Sequence, residues 1–446
     1  MMKRLNDAQM RFFIQNGYIS VRPSLPPEFH AEVFRQTEIV FEKEGNPGNN
    51  LLPRIPMVQQ VFDDPVVHGA LTSIFGRNYY LHPHRHCHYN PPGSKGQTMH
   101  KDSWTRRRHH TRWGMAFYYP QDTPETLGPT GIVPESQYYN SLPTGNGSKG
   151  ELPLSGEAGT VVIVHYDLWH RAMPNLSDKR RYMMKFLFTR MEEPNEPSWE
   201  SDSPDWSPTG DEQDAMWGHL WDWHSGYSSQ NGNGASRPVQ ELTKALKVSE
   251  NYSAVYTLAQ LGETAIPLLI EMLQDDVARR NAGYALSAIG APAVPALIDA
   301  MTDQSPEVVA MAAETLGDIG PAAEAAAPVV AGVLGSQAVS VRRNAAEALG
   351  LVTQNGTNGV AALAQALKDP DEWVRRHASL GLARIGVHAE TAIPALTKAL
   401  HDDNRYVRAN SAHTLFRIGT PEAREALFPF LFNARWCSLT SRESQY

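Results

Sequence analysis

Apolar and polar positions follow two different periods along the chain, and the change falls near Pro238. Before it, short apolar or alternating runs stand between Pro and Gly punctuation: YYLHPHRHCHYN, RWGMAFYYP, GTVVIVHYD and RYMMKFLFTR. Strand side chains point alternately to two faces, so these runs predict strands, and many short strands divided by turns predict a β-sandwich or jelly roll. An amphipathic opening stretch, LNDAQMRFFIQNGY, predicts a helix ahead of them. After Pro238 the chain turns Ala-rich with apolar positions at helical spacing. There Leu261-Gly262, Ile289-Gly290, Ile319-Gly320, Leu349-Gly350, Ile385-Gly386 and Ile418-Gly419 recur every 28 to 36 residues. Pro267, Pro295, Pro328 and Pro394 fall near a helix start, where a missing N–H is harmless. Each unit predicts a helical hairpin that buries its apolar face only by stacking on its neighbours.

A length of 446 residues exceeds what one core organises, which agrees with two domains. The boundaries read 1–192 for the strand-rich domain, 193–240 for a Pro-, Ser- and Trp-rich linker, 241–430 for the solenoid and 431–446 for a tail. Within the linker, MWGHLWDWHSG at 216–226 predicts a short helix packing its tryptophans on one domain, and SGYSSQNGNGAS predicts a flexible run. With 41% hydrophobic and 20% charged residues the composition is globular, and no apolar run is long enough to span a bilayer. The opening MMKRLNDAQM breaks its apolar character early, so no export signal and a cytoplasmic location are expected. The net charge of -8 argues against nucleic-acid binding, and Arg106-Arg107-Arg108-His109-His110 is expected as a solvated loop. Cys87 and Cys437 lie in different parts of the chain, so no disulfide framework is expected.

Candidate chemistry concentrates in the first half. In QTMHKDSW, His100 and Asp102 are two residues apart and in an extended chain project to one side, presenting an imidazole nitrogen and a carboxylate to one point. A second histidine would complete a 2-His-1-carboxylate face with positions open on non-haem Fe(II). Both His165 and His170 follow the apolar run GTVVIV and qualify. A 2-oxoglutarate cosubstrate needs a fixed cation at its far carboxylate, and Arg180 and Arg181 open the next strand. His82, His84, His86 and His88 alternate along one strand and form a rival metal set, against which Pro83 interrupts regular pairing.

Over roughly residues 5–192 the chain resembles the phytanoyl-CoA dioxygenase-like enzymes. The resemblance is carried by FIQNGYISV, YNPPGSKGQTMHKD, TPETLGPTGIVPES and WHRAMPNLSDKRR in that order. In that family the second metal histidine precedes the 2-oxoglutarate arginine by eleven residues, which selects His170 with Arg181, since His165 would reach only Leu176. The resemblance implies a double-stranded β-helix (jelly roll, cupin-like) holding Fe(II) on His100, Asp102 and His170, with 2-oxoglutarate on Arg181 and O2 as the oxidant. Retention of Asp102 implies hydroxylation rather than halogenation. Trp104 and Tyr118 are candidates for the substrate pocket. Two departures stand out: Pro134-Glu135-Ser136-Gln137 replaces a common Pro-Gly-Ser-His, and Ala172 stands where some members carry a serine that helps hold 2-oxoglutarate.

The second half, with VRRNAAEALG, VRRHASLGLARIG and VRANSAHTLFRIG, resembles HEAT repeats of the phycobilin-lyase kind over roughly 245–430. The fold class is thus α+β multidomain, a jelly roll followed by an all-α solenoid. The His-Glu pairs of HEAT-repeat di-iron hydroxylases are missing, because His377, His388 and His413 precede Ala378, Ala389 and Thr414. Together the halves imply an Fe(II)/2-oxoglutarate oxygenase, a hydroxylase of a C–H bond, acting on a small-molecule, peptide or carrier-bound substrate. The solenoid is expected to recruit that substrate or a protein partner; the alternative is a non-catalytic scaffold with an inactive oxygenase domain.

Overall fold

The computed structural model describes the chain except residues 1, 104–108, 143–149, 204, 228–238, 249, 355 and 433–446. Two compact units emerge, Met1–Pro204 and Asp205–Ala434. The expected run SGYSSQNGNGAS and the tail past 432 lie almost wholly outside the described residues, as do Cys437 and Trp104.

In the first unit the opening helix is Asp7–Asn16, started by a capping box between Asn6 and Gln9 and ended by Gly17 at φ 76°. Eight strands follow: β1 (Tyr18–Val21), β2 (Tyr80–Asn90), β3 (Trp113–Tyr118), β4 (Thr130–Ile132), β5 (Leu152–Pro153), β6 (Val161–His165), β7 (His170–Ala172) and β8 (Arg181–Thr189). A five-stranded antiparallel sheet has the order β1-β6-β3-β8-β2, and a three-stranded sheet has the order β5-β4-β7. Met115, Phe117, Val162, Val164, Met183 and Leu187 of the large sheet bury against Ile132, Leu154 and Leu168. This is the expected jelly roll, and the four runs singled out by alternation are β2, β3, β6 and β8.

Every residue of β8 is buried, because both of its faces are covered. Arg181, Met183, Lys185 and Leu187 share the inner face, while Phe186 and Phe188 point outward, 4.4 and 5.5 Å from the ring of Phe62. The outer cover comes from helices Pro27–Glu44, Gln59–Asp63 and Pro65–Phe75, a helical stretch that the strand pattern leaves unassigned. β2 pairs with β8 in one register up to Leu81↔Phe188 and in another from Arg85↔Phe186, with Pro83 in the irregular stretch between. His109 and His110 are buried rather than solvated. Trp199 donates through Nε1 to Asp7, and the backbone N–H groups of Asp202 and Ser203 donate to the same carboxylate.

The second unit is helical throughout its described length. Its helix Asp214–Ser225 buries Trp217 and Trp221. Pairs such as Val294–Ala300 with Pro306–Ile319, and Ile393–Ala399 with Arg405–Ile418, repeat the predicted hairpin. Gly290, Gly320, Gly386 and Gly419 end their helices at φ between 61° and 79°. Gly350 departs from that rule. Its helix runs on to Val352, and a Cβ at Gly350 would lie 2.3 Å from the Cα of Gly381, so this glycine serves a close helix crossing. Arg342 and Arg375 each reach into the next repeat, at 2.7 Å from Asp369 and Asp402 respectively.

Candidate metal centre

β7 and the segment before residue 101 meet in one antiparallel bridge, His100↔His170. Their backbones exchange both hydrogen bonds, His100 N–H to His170 O and the reverse, each at 2.9 Å. The imidazoles therefore hang side by side, with ring centroids 4.7 Å apart. Each ring uses Nδ1 on a nearby carbonyl, Thr98 O for His100 and Leu168 O for His170, both at 2.9 Å. Such anchoring fixes the tautomer and leaves Nε2 as the free electron pair. Asp102 completes the group, its Oδ2 3.4 Å from His170 Nε2. One ligand atom from each of His100, Asp102 and His170 lies within 4.8 Å of the others, and these three form the one such cluster among the described residues.

Electrostatics favour an ionised carboxylate and a neutral His100 imidazole. Burial alone would raise the Asp102 pKa, but the neighbouring His170 ring and the Lys185 ammonium outweigh it and hold the carboxyl far below its ordinary value. Burial depresses His100, which keeps its nitrogen available as a ligand. The phenol of Tyr166 donates to Asp102 O at 3.1 Å and steadies the backbone there.

Arg181 opens β8 on the inner face and is 1% exposed. Its Nε donates to Gly128 O at 2.9 Å, whereas Nη1 and Nη2 are buried with no hydrogen-bond partner among the described residues. A guanidinium left this way is costly unless an anion completes it. Thr130 Oγ1 and His88 Nε2 are among the other buried polar atoms without a hydrogen-bond partner. Burial comes first among the causes that push His88 well below its ordinary pKa; Lys185, His86 and Arg181 push the same way, and Asp102 opposes them.

His165 closes β6 and takes no part in the cluster; its Nδ1 accepts from Asp167 N–H at 3.2 Å. Tyr118, a candidate for the substrate pocket, points away from the metal cluster. Period two puts Phe117 inward and Tyr118 outward, and the Tyr118 hydroxyl bonds His30 Nδ1 on the covering helix at 2.9 Å. Phe117 takes the inward place, its ring 5.8 Å from His170. The same parity, counted from Arg181, marks Lys185, which the sequence reading missed. Of the β2 histidines, His86 and His88 stand opposite Lys185 and Met183. The replaced loop also becomes intelligible: Glu135 sits at φ 65°, the left-handed region that explains a glycine elsewhere, and Gln137 ties down the opening helix through Ile14 O and Gln15 O.

Residues 14–183 match the phytanoyl-CoA dioxygenase family, and residues 266–350 and 360–434 match HEAT repeats, with a PBS lyase HEAT-like repeat at 251–275. The chain therefore joins a stretch that matches the phytanoyl-CoA dioxygenase family to one that matches HEAT repeats. Among solved structures it is similar to the non-heme alpha ketoglutarate dependent carbocyclase SnoK from nogalamycin biosynthesis, at 17% identity and TM-score 0.35 over 42% of this chain and 85% of that one. It is also similar to HygX from Streptomyces hygroscopicus with nickel and 2-oxoglutarate bound, at 14% identity and TM-score 0.35 over 42% and 87% of the two chains. No curated protein matches the chain. Among the described residues no helix is long and apolar enough to cross a membrane.

Proposed function

We propose that the chain is an Fe(II)- and 2-oxoglutarate-dependent oxygenase that hydroxylates a C–H bond. The observation that carries this reading is the convergence of His100, Asp102 and His170 on one point, two anchored imidazoles and one ionised carboxylate. That donor set suits a non-haem Fe(II) face with open positions. The unpartnered Nη atoms of Arg181 suit the distal carboxylate of 2-oxoglutarate, which they would meet with two parallel N–H donors. Thr130 stands opposite Ala172 in register, so its hydroxyl would supply from β4 what the missing serine would supply from β7.

When bound, the iron supplies oxygen activation: one O2 atom goes to succinate as 2-oxoglutarate loses CO2, and the other goes to the substrate as hydroxyl. The protein's own residues do the remaining work. Arg181 orients the cosubstrate, the Nδ1 bonds to Thr98 and Leu168 hold the ligand rings, and the apolar walls around Phe117, Met183 and Leu187 exclude water from the reacting atoms. Under anaerobic conditions Fe(II) and 2-oxoglutarate together should give a weak visible charge-transfer band, and in air succinate should form; folded protein without either sinks the reading.

The solenoid's role is the finer part of the proposal. Repeat stacks offer extended surfaces for macromolecules, so we assign the second unit to recruitment of a peptide, protein or carrier-bound substrate. Removing everything from Asp205 onward is expected to cut turnover of the true substrate by about tenfold or more, while substrate-independent succinate formation persists. Equal turnover of the true substrate by both lengths would remove recruitment from the account.

A further inference from the structure

Lys185 is a buried ammonium beside a metal ligand. It lies on the inner face of β8 at 5% exposure, and its Nζ donates to Asp102 Oδ2 at 2.7 Å, the same oxygen that faces His170. No other hydrogen-bond acceptor serves it among the described residues. Register puts His86 of β2 on one side of it and Phe117 of β3 on the other, and neither offers a negative charge.

On the reading above, a divalent metal, Asp102, a dicarboxylate and Arg181 balance one another, and the Lys185 charge is left over. Arg181 and Lys185 are four residues apart on one strand, about 13 Å along its axis, so the carboxylate held by Arg181 is not the anion beside Lys185, and the other end of 2-oxoglutarate would spend its charge on the metal. Once Asp102 gives its charge to the metal, Lys185 has two N–H donors to spare and no anion of its own. A buried ammonium in that position calls for a partner.

We infer that the substrate carries an anionic group, a carboxylate or its close equivalent, that docks on Lys185 next to the metal and so presents a neighbouring C–H bond for oxidation. The inference rests on the proposed metal and 2-oxoglutarate site and adds the substrate class.

The test uses full-length protein loaded anaerobically with Fe(II) and saturating 2-oxoglutarate, probed with two matched pairs, hexanoate against hexanamide and phenylacetate against phenylacetamide. Binding is read by calorimetry, and the charge-transfer band is followed in parallel. Wild type is expected to bind each carboxylate at least about tenfold more tightly than its amide, the minimum a charge-assisted contact should give, with the band retained. Lys185→Met should abolish that preference, and Lys185→Arg should keep most of it. Equal binding of acid and amide by wild type, or no binding of either acid, overturns the inference, and this comparison needs no variant to fold. A preference that survives in Lys185→Met also overturns it, as does loss of the band on adding an acid, which would mean that the acid displaces 2-oxoglutarate. A wild type without any band fails at the earlier step and takes the oxygenase reading down instead.

Discussion

His170→Ala is expected to abolish Fe(II) binding at this site and with it the charge-transfer band, lowering succinate formation by more than about a thousandfold. Loss of a mere orienting partner typically costs about 10- to 100-fold, and His170 is proposed as a ligand itself. The comparison that gives the experiment its force is His165→Ala. That ring is also buried, five residues earlier in the same stretch, but its nitrogen serves Asp167 N–H and lies outside the cluster. Its removal should cost stability, on the order of 2–4 kcal/mol for a truncated buried ring, and should leave the band in place. Metal titration of the two variants followed at the band separates the cases; a band lost with His165 and kept with His170 would reverse the assignment.

Arg181→Met should weaken 2-oxoglutarate by about a hundredfold or more, since two charge-assisted hydrogen bonds vanish together at about 1.5–3 kcal/mol each. The same change should leave the ligand-free protein as stable as before or more so, by about 1–3 kcal/mol. Arg181 holds only one hydrogen bond, to Gly128 O, and its two terminal nitrogens are buried without partners, a burden that methionine does not carry. Burial also lowers the Arg181 pKa, a sign of the same unmet desolvation. Thermal melts with and without 2-oxoglutarate read both effects: the wild type gains stability on adding the ligand and the variant does not. An unchanged affinity for 2-oxoglutarate would show that another group holds its far end.

How much of this was legible in the sequence depends on the length of each pattern. β2, β3, β6 and β8 are long enough for alternation to show, and they carry the inner face. β4, β5 and β7 span two or three residues each, too short for any period, although β7 holds His170 itself. The covering helix Pro65–Phe75 hides because it is buried at Val67 and from Gly69 to Phe75, which leaves almost no polar face to mark its period. Tyr118 was misplaced through ignoring parity on β3, and Lys185 was overlooked through the same neglect on β8. The repeated Leu-Gly and Ile-Gly pairs revealed the helical repeats of the second half, yet one dipeptide concealed two roles, a helix end at Gly290 and a helix crossing at Gly350.

The bridge between His100 and His170 bears on how the site forms and fails. Both imidazoles are mounted on one rung of a ladder, so their spacing is set by strand pairing before any ion arrives, and little ordering remains to be done on binding. The converse holds as well. An ion across that rung clasps the HxD segment to the small sheet, so its release and the fraying of this edge are one event, and the apo and holo proteins should differ first in the exchange rates of these two amides.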